Sequence, residues 1–383
     1  VITGDLDRAL ATAIGSAGTW RPPPPGTVCG VRTYVTTIAF WLARGHAGGP
    51  GAGGPAAVAA ALAARLSGLD WVEAAAVTGG GYLAATVTAD ALASLAVRVT
   101  EAGPGCARSS ALAGASQAAP VATDLASAPT WEEARRRVHA TVTGRLAEAA
   151  GARVSWHHEA ERITALHPAA PVTAGPVTEG PAVEGPVPGG PAVEGPAPPA
   201  GPVAEAVAYA GADAITYALA RLLPRGPARV DARLAAAHHL GNPAYAVQYA
   251  HAHAASALRQ AADLGLSRGE AAGFQPRLLA HPSEQALLST LSWLPERAAG
   301  AARRARPDVL THFLEGLARA YFDCQDTCPA VRPGMVVPDG TDRSPAGRAA
   351  VQAAAARLWL AAAARTALGA GLGLLGVGAP DRL

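Results

Sequence analysis

The chain has 383 residues, a formal net charge of +2 and a pI near 8.5, and half of it is hydrophobic. That length suits two domains with substantial cores, and so balanced a charge argues neither for nor against nucleic acid. Every one of the 31 basic residues is Arg, so a Walker-type phosphate loop, Schiff-base catalysis and a lysine general base are all excluded.

In chain order, Thr36, Thr37, Phe40 and Trp41 precede a helix predicted from Pro55 to Leu66, a run of strong helix formers. Gly49-Pro-Gly51-Ala-Gly-Gly54 has the spacing of a dinucleotide fingerprint but lacks its strand–turn–helix context, and it reads as a loop. Ala74–Thr78 and Tyr82–Thr88 read as short strands about a turn at Gly79, Gly80 and Gly81. Glu132 and Glu133 open a helix predicted to run towards Ala150, with acids where the macrodipole favours them. The neighbouring Arg135, Arg136 and Arg137 read as a solvated face or a phosphate contact. Arg153–His157 is a strand candidate, and residues 105–167 otherwise carry no clear assignment. From Pro168 to Pro202 the chain repeats Glu-Gly-Pro units. Pro removes ladder hydrogen bonds and Gly costs backbone entropy, so this stretch is predicted to be an extended linker, part polyproline II, reaching at most about 110 Å at ~3.1 Å per residue.

The carboxy-terminal part holds the block Asn242-Pro-Ala-Tyr245-Ala-Val-Gln248-Tyr249-Ala-His251-Ala-His253. Asn242 is a good N-cap and Pro243 is pre-set for the first helical position, so a helix is predicted to begin here. Tyr245 and Tyr249 then share a face, with Gln248 and Ala252 in an adjacent row. Two readings stay open: tyrosines that pack between helices, or rings offered to unstacked bases. Leu287, Leu288, Leu291 and Leu294 follow helical spacing after Ser283, a candidate cap, until Pro295 kinks or ends the segment. Pro307 opens another helix carrying Leu310, Phe313, Leu314, Leu317 and Tyr321.

The block at Asn242–His253 resembles the signature helix of the arginyl-tRNA synthetase anticodon-binding domain, with His253 where that family carries Arg. The likeness extends upstream to Ala210–Tyr217 and Val230-Asp231. Downstream it takes in Tyr321-Phe322, Cys328-Pro329, and the stretch from Ala356 to the tail Gly371–Leu383, where Asp381 and Leu383 replace the usual Glu and Met. A weaker similarity links residues 1–104 to the synthetase amino-terminal additional domain. The resemblance implies a mainly α fold: an antiparallel helical bundle of DALR type over residues 204–383, a smaller α+β domain at 1–104, and the linker at 168–203 as a spacer in place of a catalytic domain. It further implies tRNA as partner, through Asn242, Tyr245, Gln248, Tyr249 and His251, with the Arg303 and Arg304 side chains and the terminal Leu383 as added contacts.

Catalytic signatures of that family are missing. No His-x-Gly-His occurs, and a Lys-Met-Ser-Lys-Ser loop is impossible without Lys. Cys324 and Cys328 are four apart, but Cys29 and Cys106 lack metal-ligand spacing. The paired histidines, 157/158, 238/239 and 251/253, point to different faces and do not chelate one ion. No catalytic residue, metal or cofactor is therefore expected. From Glu205 to Leu383 there are 18 Arg against 14 acids, a local excess of 4, whereas Val1 to Val203 has 13 Arg against 15 acids. Without a disulfide framework, an acid-poor leader or an apolar run long enough to span a bilayer, the expectation is a cytoplasmic protein with no membrane contact. The expected function is that of a catalytically silent, tRNA-binding relative of arginyl-tRNA synthetase. The alternatives are a helical domain reused to bind a protein partner, and a subunit aiding a catalytic partner in trans.

Overall fold

A computed structural model describes residues 2–14, 20–21, 31–44, 54–158, 203–331 and 345–383. The linker expected at Pro168–Pro202, the glycine tract at 49–53 and Cys29 lie outside the described residues. The fold is mainly α, with a helical carboxy-terminal part and a small α+β region before it.

The amino-terminal region begins with α1 (Ile2–Ile14), β1 (Trp20–Arg21), β2 (Thr33–Thr36) and α2 (Ile38–Ala43), followed by α3 (Pro55–Leu66). Pro55 sits at the start of α3, whose Val58, Ala59, Leu62, Ala63 and Leu66 are buried at three- and four-residue spacing. β3 (Val72–Thr78) and β4 (Tyr82–Val87) form the expected hairpin, pairing Thr78 with Tyr82 and Val77 with Leu83. Gly79, Gly80 and Gly81 between them all have positive φ. A Cβ on Gly81 would stand 2.8 Å from the Pro55 side chain, so the turn needs glycine both for its backbone and for its closeness to α3. The antiparallel sheet runs in the order β1-β2-β4-β3. α4 (Ala89–Ala93), capped by Thr88, and α5 (Leu95–Ala102) complete this region.

Residues 105–158 contain β5 (Ser116–Pro120), α6 (Trp131–Ala149) and β6 (Arg153–His157). β5 and β6 pair in parallel, Ser116 beside Arg153, with α6 as the crossover. A Cβ on Gly144 would come within 2.5 Å of Ala119 and 2.8 Å of Trp156, so only glycine lets α6 lie this close to the two strands. The arginine triplet is engaged inside the chain: Arg136 and Arg137 bond Glu133, and Arg135 donates to the carbonyls of Leu223 (3.1 Å) and Gly226 (2.8 Å). The two glutamate bonds, made on the surface, hold the Glu133 carboxyl below its ordinary range.

The carboxy-terminal part comprises α7 (Val203–Ala210), α8 (Ala212–Arg221), α9 (Ala232–Ala236), α10 (Pro243–Asp263), α11 (Pro282–Ser292), α12 (Leu294–Arg304), α13 (Pro307–Thr327) and α14 (Pro345–Leu375). The segment does break near Pro295, at Trp293, which puts Leu294 and Pro295 in the first turn of α12, and the cap of α11 is His281 rather than Ser283. Its ring accepts from the Ser283 amide while Glu284 accepts from the His281 amide at 3.0 Å, a reciprocal capping box. Glu284 also takes the Arg357 guanidinium at 2.8 Å, although it is itself 1% exposed.

One expectation needs correcting. The stretch Gly347–Leu375 of α14 is long and apolar enough, by length and composition, to cross a membrane. In this fold 67% of its most apolar window is buried, against α10, α5 and α13. Such hydropathy is what a helix surrounded by other helices requires. One hydrophobic cluster runs from Ile2, Leu6 and Leu10 through Leu83, Leu95 and Leu146 to Val247, Leu314 and Leu372. Tyr34 ties the small sheet to the bundle: its hydroxyl donates to Ser292 at 2.8 Å and its ring packs 5.0 Å from Trp293.

Candidate functional site

The site is built on the first half of α10. Asn242 caps it as predicted, its side-chain oxygen accepting from the Ala244 amide at 3.1 Å, and Pro243 follows at the first helical position. The same side chain donates to the carbonyls of Ala235 (2.9 Å) and Ala237 (2.8 Å), so one residue locks the end of α9 to the start of α10. Asn242 is only 4% exposed.

One face of α10 carries rings. Tyr245 and Tyr249, one turn apart, lie nearly parallel with centroids 5.7 Å apart. His238, from the loop before the helix, stacks on Tyr245 at 5.5 Å and 12°. Phe322 of α13 stacks on Tyr249 at 5.6 Å and 25°. His253 meets Tyr249, Tyr321 and Phe322 edge-on, and its Nδ1 is 2.9 Å from the Tyr321 hydroxyl. Burial pushes the His253 imidazole down and the Tyr321 phenol up, so the imidazole is neutral at pH 7 and the phenol stays protonated. Tyr245, Tyr249 and Phe322 are half-buried and His238 is exposed, so the result is an open stripe of rings with its inner edge on the bundle. Upstream of it Arg225, Arg229 and Arg233 are exposed on the chain segment that leads into His238.

A second face of the same helix holds the chain terminus. Gln248 donates to the Gly378 carbonyl at 3.0 Å, His251 Nδ1 pairs with the Pro380 carbonyl at 3.0 Å, and Arg259 donates to the Asp381 carbonyl at 3.2 Å. Arg365 grips the Asp381 carboxylate with contacts of 2.8 and 2.9 Å, and Asp213 accepts from the Gly378 amide at 2.8 Å. These bonds set the tail along α10 and leave Leu383 60% exposed.

The expected site residues therefore separate. Tyr245 and Tyr249 face outward together. Asn242 and His251, 4% and 5% exposed, are buried and bond within the chain, Asn242 to Ala235, Ala237 and Ala244 and His251 to the Pro380 carbonyl. Gln248 presents its amide nitrogen to the tail. Arg303 and Arg304 stand at the end of α12, just before α13, with Arg303 3.9 Å from Glu296. Phe322 lies about 22 Å along α13 from Pro307, at ~1.5 Å rise per residue, so those two arginines are not part of the ring stripe. Sequence reasoning passed over His238, His253 and Phe322 as members of the stripe. Phe322 is foreshadowed by the Tyr321-Phe322 pair, but nothing local marks His238, which reaches Tyr245 across a helix boundary.

Cys106, Cys324 and Cys328 are free and buried, and burial pushes the Cys106 and Cys324 thiols up to about 12, so neither is a thiolate at neutral pH. Among the described residues no three or more His, Cys, Asp or Glu side chains gather as a metal site would require.

Comparison with known proteins bears on this geometry. Residues 247–383 match the DALR anticodon binding domain. The arginine–tRNA ligase of Micrococcus luteus is 39% identical over 177 residues, and that of Paenarthrobacter aurescens 36% identical over 177, in both cases 46% of this chain and 30% of the ligase. The chain thus spans about 30% of the length of the curated relatives it matches. Among solved structures, Thermus thermophilus arginyl-tRNA synthetase aligns with a TM-score of 0.62 and 16% identity, over 100% of both chains, a likeness of fold. From Val247 to Leu383 this chain is thus similar to the DALR anticodon binding domain, and it shares that stretch of sequence with arginine–tRNA ligases.

Proposed function

We propose that this protein binds tRNA, with arginine tRNA as its cognate, by laying unpaired anticodon-loop bases against the stripe of Tyr245, Tyr249 and Phe322, and that it does not itself charge that tRNA. The observation carrying this reading is the open stack of rings on the helix where the DALR match begins. Proteins read single-stranded RNA by stacking splayed bases on aromatic side chains, at about 1–3 kcal/mol per base. Arg225, Arg229 and Arg233 supply cations for the backbone phosphates along the same approach. The non-catalytic part of the proposal is supported by the missing lysine and the missing His-x-Gly-His signature.

Filter binding with an arginine tRNA transcript tests the first part. Replacing Tyr245 and Tyr249 with Ala weakens binding while far-UV circular dichroism is retained, and wild-type affinity falls with salt as counterion release requires. Unchanged affinity in the double variant removes the site. An aminoacylation assay tests the second part, since arginine charging by the purified protein alone contradicts it. Charging that appears only on adding a catalytic partner favours a helper subunit.

A further inference from the structure

The ring stripe has an end that the tRNA-binding reading does not yet use. His238–Tyr245, Tyr245–Tyr249 and Tyr249–Phe322 form a continuous pile with centroid spacings of 5.5, 5.7 and 5.6 Å and small interplanar angles. Tyr245 and Tyr249 each lie against two rings of this series, which leaves a base only part of each ring, whereas the ends of the series have fewer ring neighbours. Phe322 closes one end, because His253 and Tyr321 pack edge-on against it. The other end is His238: one face of its imidazole lies on Tyr245, and the residue is exposed.

The loop that carries this imidazole is fixed on both sides. The carbonyl of Ala237, immediately before it, accepts from Asn242, as does that of Ala235. His239, immediately after it, accepts from the Gly241 amide through Nδ1 at 3.0 Å, and its own carbonyl accepts from the Asn242 amide at 2.9 Å. An exposed ring with anchored backbone at both flanks is a preorganised surface, and ordering it on binding costs little. The buried polar bonds of Asn242 thereby acquire a purpose beyond capping: they aim His238.

We propose that His238 is a base-stacking platform, the outermost ring of the pile, on which an unpaired nucleobase of the bound tRNA continues the stack. The ligand chemistry is a flat heteroaromatic face next to a phosphodiester, with Arg233, on the helix just upstream, placed for the phosphate. This inference rests on the tRNA-binding reading and adds to it a further residue that makes face-to-face contact.

The test uses the full chain and an arginine tRNA transcript carrying 2-aminopurine in the anticodon loop, whose fluorescence is quenched when it stacks. Wild type, His238→Ala and His238→Phe are compared for affinity and for quenching at saturation. His238 is exposed, so neither change disturbs the core, and a thermal melt of each variant verifies it. The expected result is a loss of about tenfold in affinity together with the quenching in His238→Ala, and recovery of both in His238→Phe. Affinity and quenching unchanged in His238→Ala overturn the platform and leave the tRNA-binding reading standing, with the imidazole only covering Tyr245. Loss in both variants also overturns it, since a ring face would then not be what matters. Failure of the wild-type protein to bind the transcript overturns both.

Discussion

α10 shows two faces that differ both in polarity and in availability. The face with Gln248, His251 and Arg259 is rich in hydrogen-bonding groups, yet each of the three bonds the carboxy-terminal tail. The face with Tyr245 and Tyr249 has fewer polar atoms, but it is half-open and continues into His238 and Phe322. Polar residues therefore mark the scaffold here and aromatic ones the proposed site. The distinction rests on what each side chain already touches, which residue type alone does not tell. It has measurable consequences, because changes to engaged groups should cost stability and changes to open ones should cost binding.

The largest effect is expected where engagement is deepest. Arg357→Ala leaves the Glu284 carboxylate, 1% exposed, without its cation, and removing one partner of a buried pair costs about 3–5 kcal/mol. Arg357 takes no part in the ring contacts of the stripe, so urea denaturation should show a lowered midpoint while the folded fraction still binds tRNA with wild-type affinity. A drop in affinity in that folded fraction would erase the boundary between scaffold and site.

Next comes the open face. Tyr245→Leu with Tyr249→Leu keeps apolar bulk against the bundle but removes the rings, and the expected loss is about 1–3 kcal/mol of tRNA binding for each base that stacks. Stability by urea denaturation should change less than it does in Arg357→Ala. If the double leucine variant instead unfolds more readily and binds tRNA as before, the tyrosines are packing residues and the two faces do not differ in kind. Asn242→Ala is expected to fall between the classes. It removes a cap and leaves the Ala235 and Ala237 carbonyls without their donor, at about 2 kcal/mol of stability.

Much of the scaffold was legible because its signals are local. Asn242-Pro243, the Pro-initiated helix at Pro307, the glycine turn at 79–81 and the acidic start at Glu132-Glu133 each act within one turn of chain, and each appears where the residues predict. β5 was not legible: Ser116-Gln-Ala-Ala-Pro120 has no β-branched or aromatic residue, and it becomes a strand by pairing with β6 beyond a whole helix. The fate of His251 was hidden for the same reason, since its partner is Pro380, at the far end of the sequence. The apolar length of α14 was also missed, and composition alone does not separate it from a bilayer span, since burial by other helices asks for the same composition. The ring stripe was half visible: Tyr245 and Tyr249 follow from helical spacing, whereas His238 and Phe322 join only through tertiary packing.

The histidines give a smaller and pH-dependent expression of the contrast. Burial holds the imidazoles of His139, His251 and His253 below their ordinary value near 6.5. The unfolded chain thus takes up protons first, so their contribution to stability is intact above about pH 6.5 and declines as the pH falls below it. Thermal melts between pH 7.5 and 5, in about equal ionic strength, should show a decreasing midpoint. His251→Asn, whose amide can still donate to the Pro380 carbonyl, should show a shallower decrease. A midpoint flat across that range would mean that the tail face is looser than the hydrogen bonds imply.

The smallest effect is expected from the arginines that composition alone would have favoured. Arg303 and Arg304 close α12 at the opposite end of α13 from Phe322, and Arg303 faces Glu296. Pro307, just beyond them, lies about 22 Å along α13 from Phe322 at ~1.5 Å per residue of helix, farther than neighbouring nucleotides of one loop reach. Arg303→Ala with Arg304→Ala should therefore shift tRNA affinity by less than about threefold and leave the slope of log affinity against log salt nearly as it was. Arg229→Ala with Arg233→Ala, at the approach to His238, should lower that slope by roughly one for each phosphate deprived of its cation. If the pair at 303 and 304 proves the more sensitive of the two, the RNA lies across the bundle along α13 rather than at the start of α10, and the open face described here is the periphery of a larger footprint.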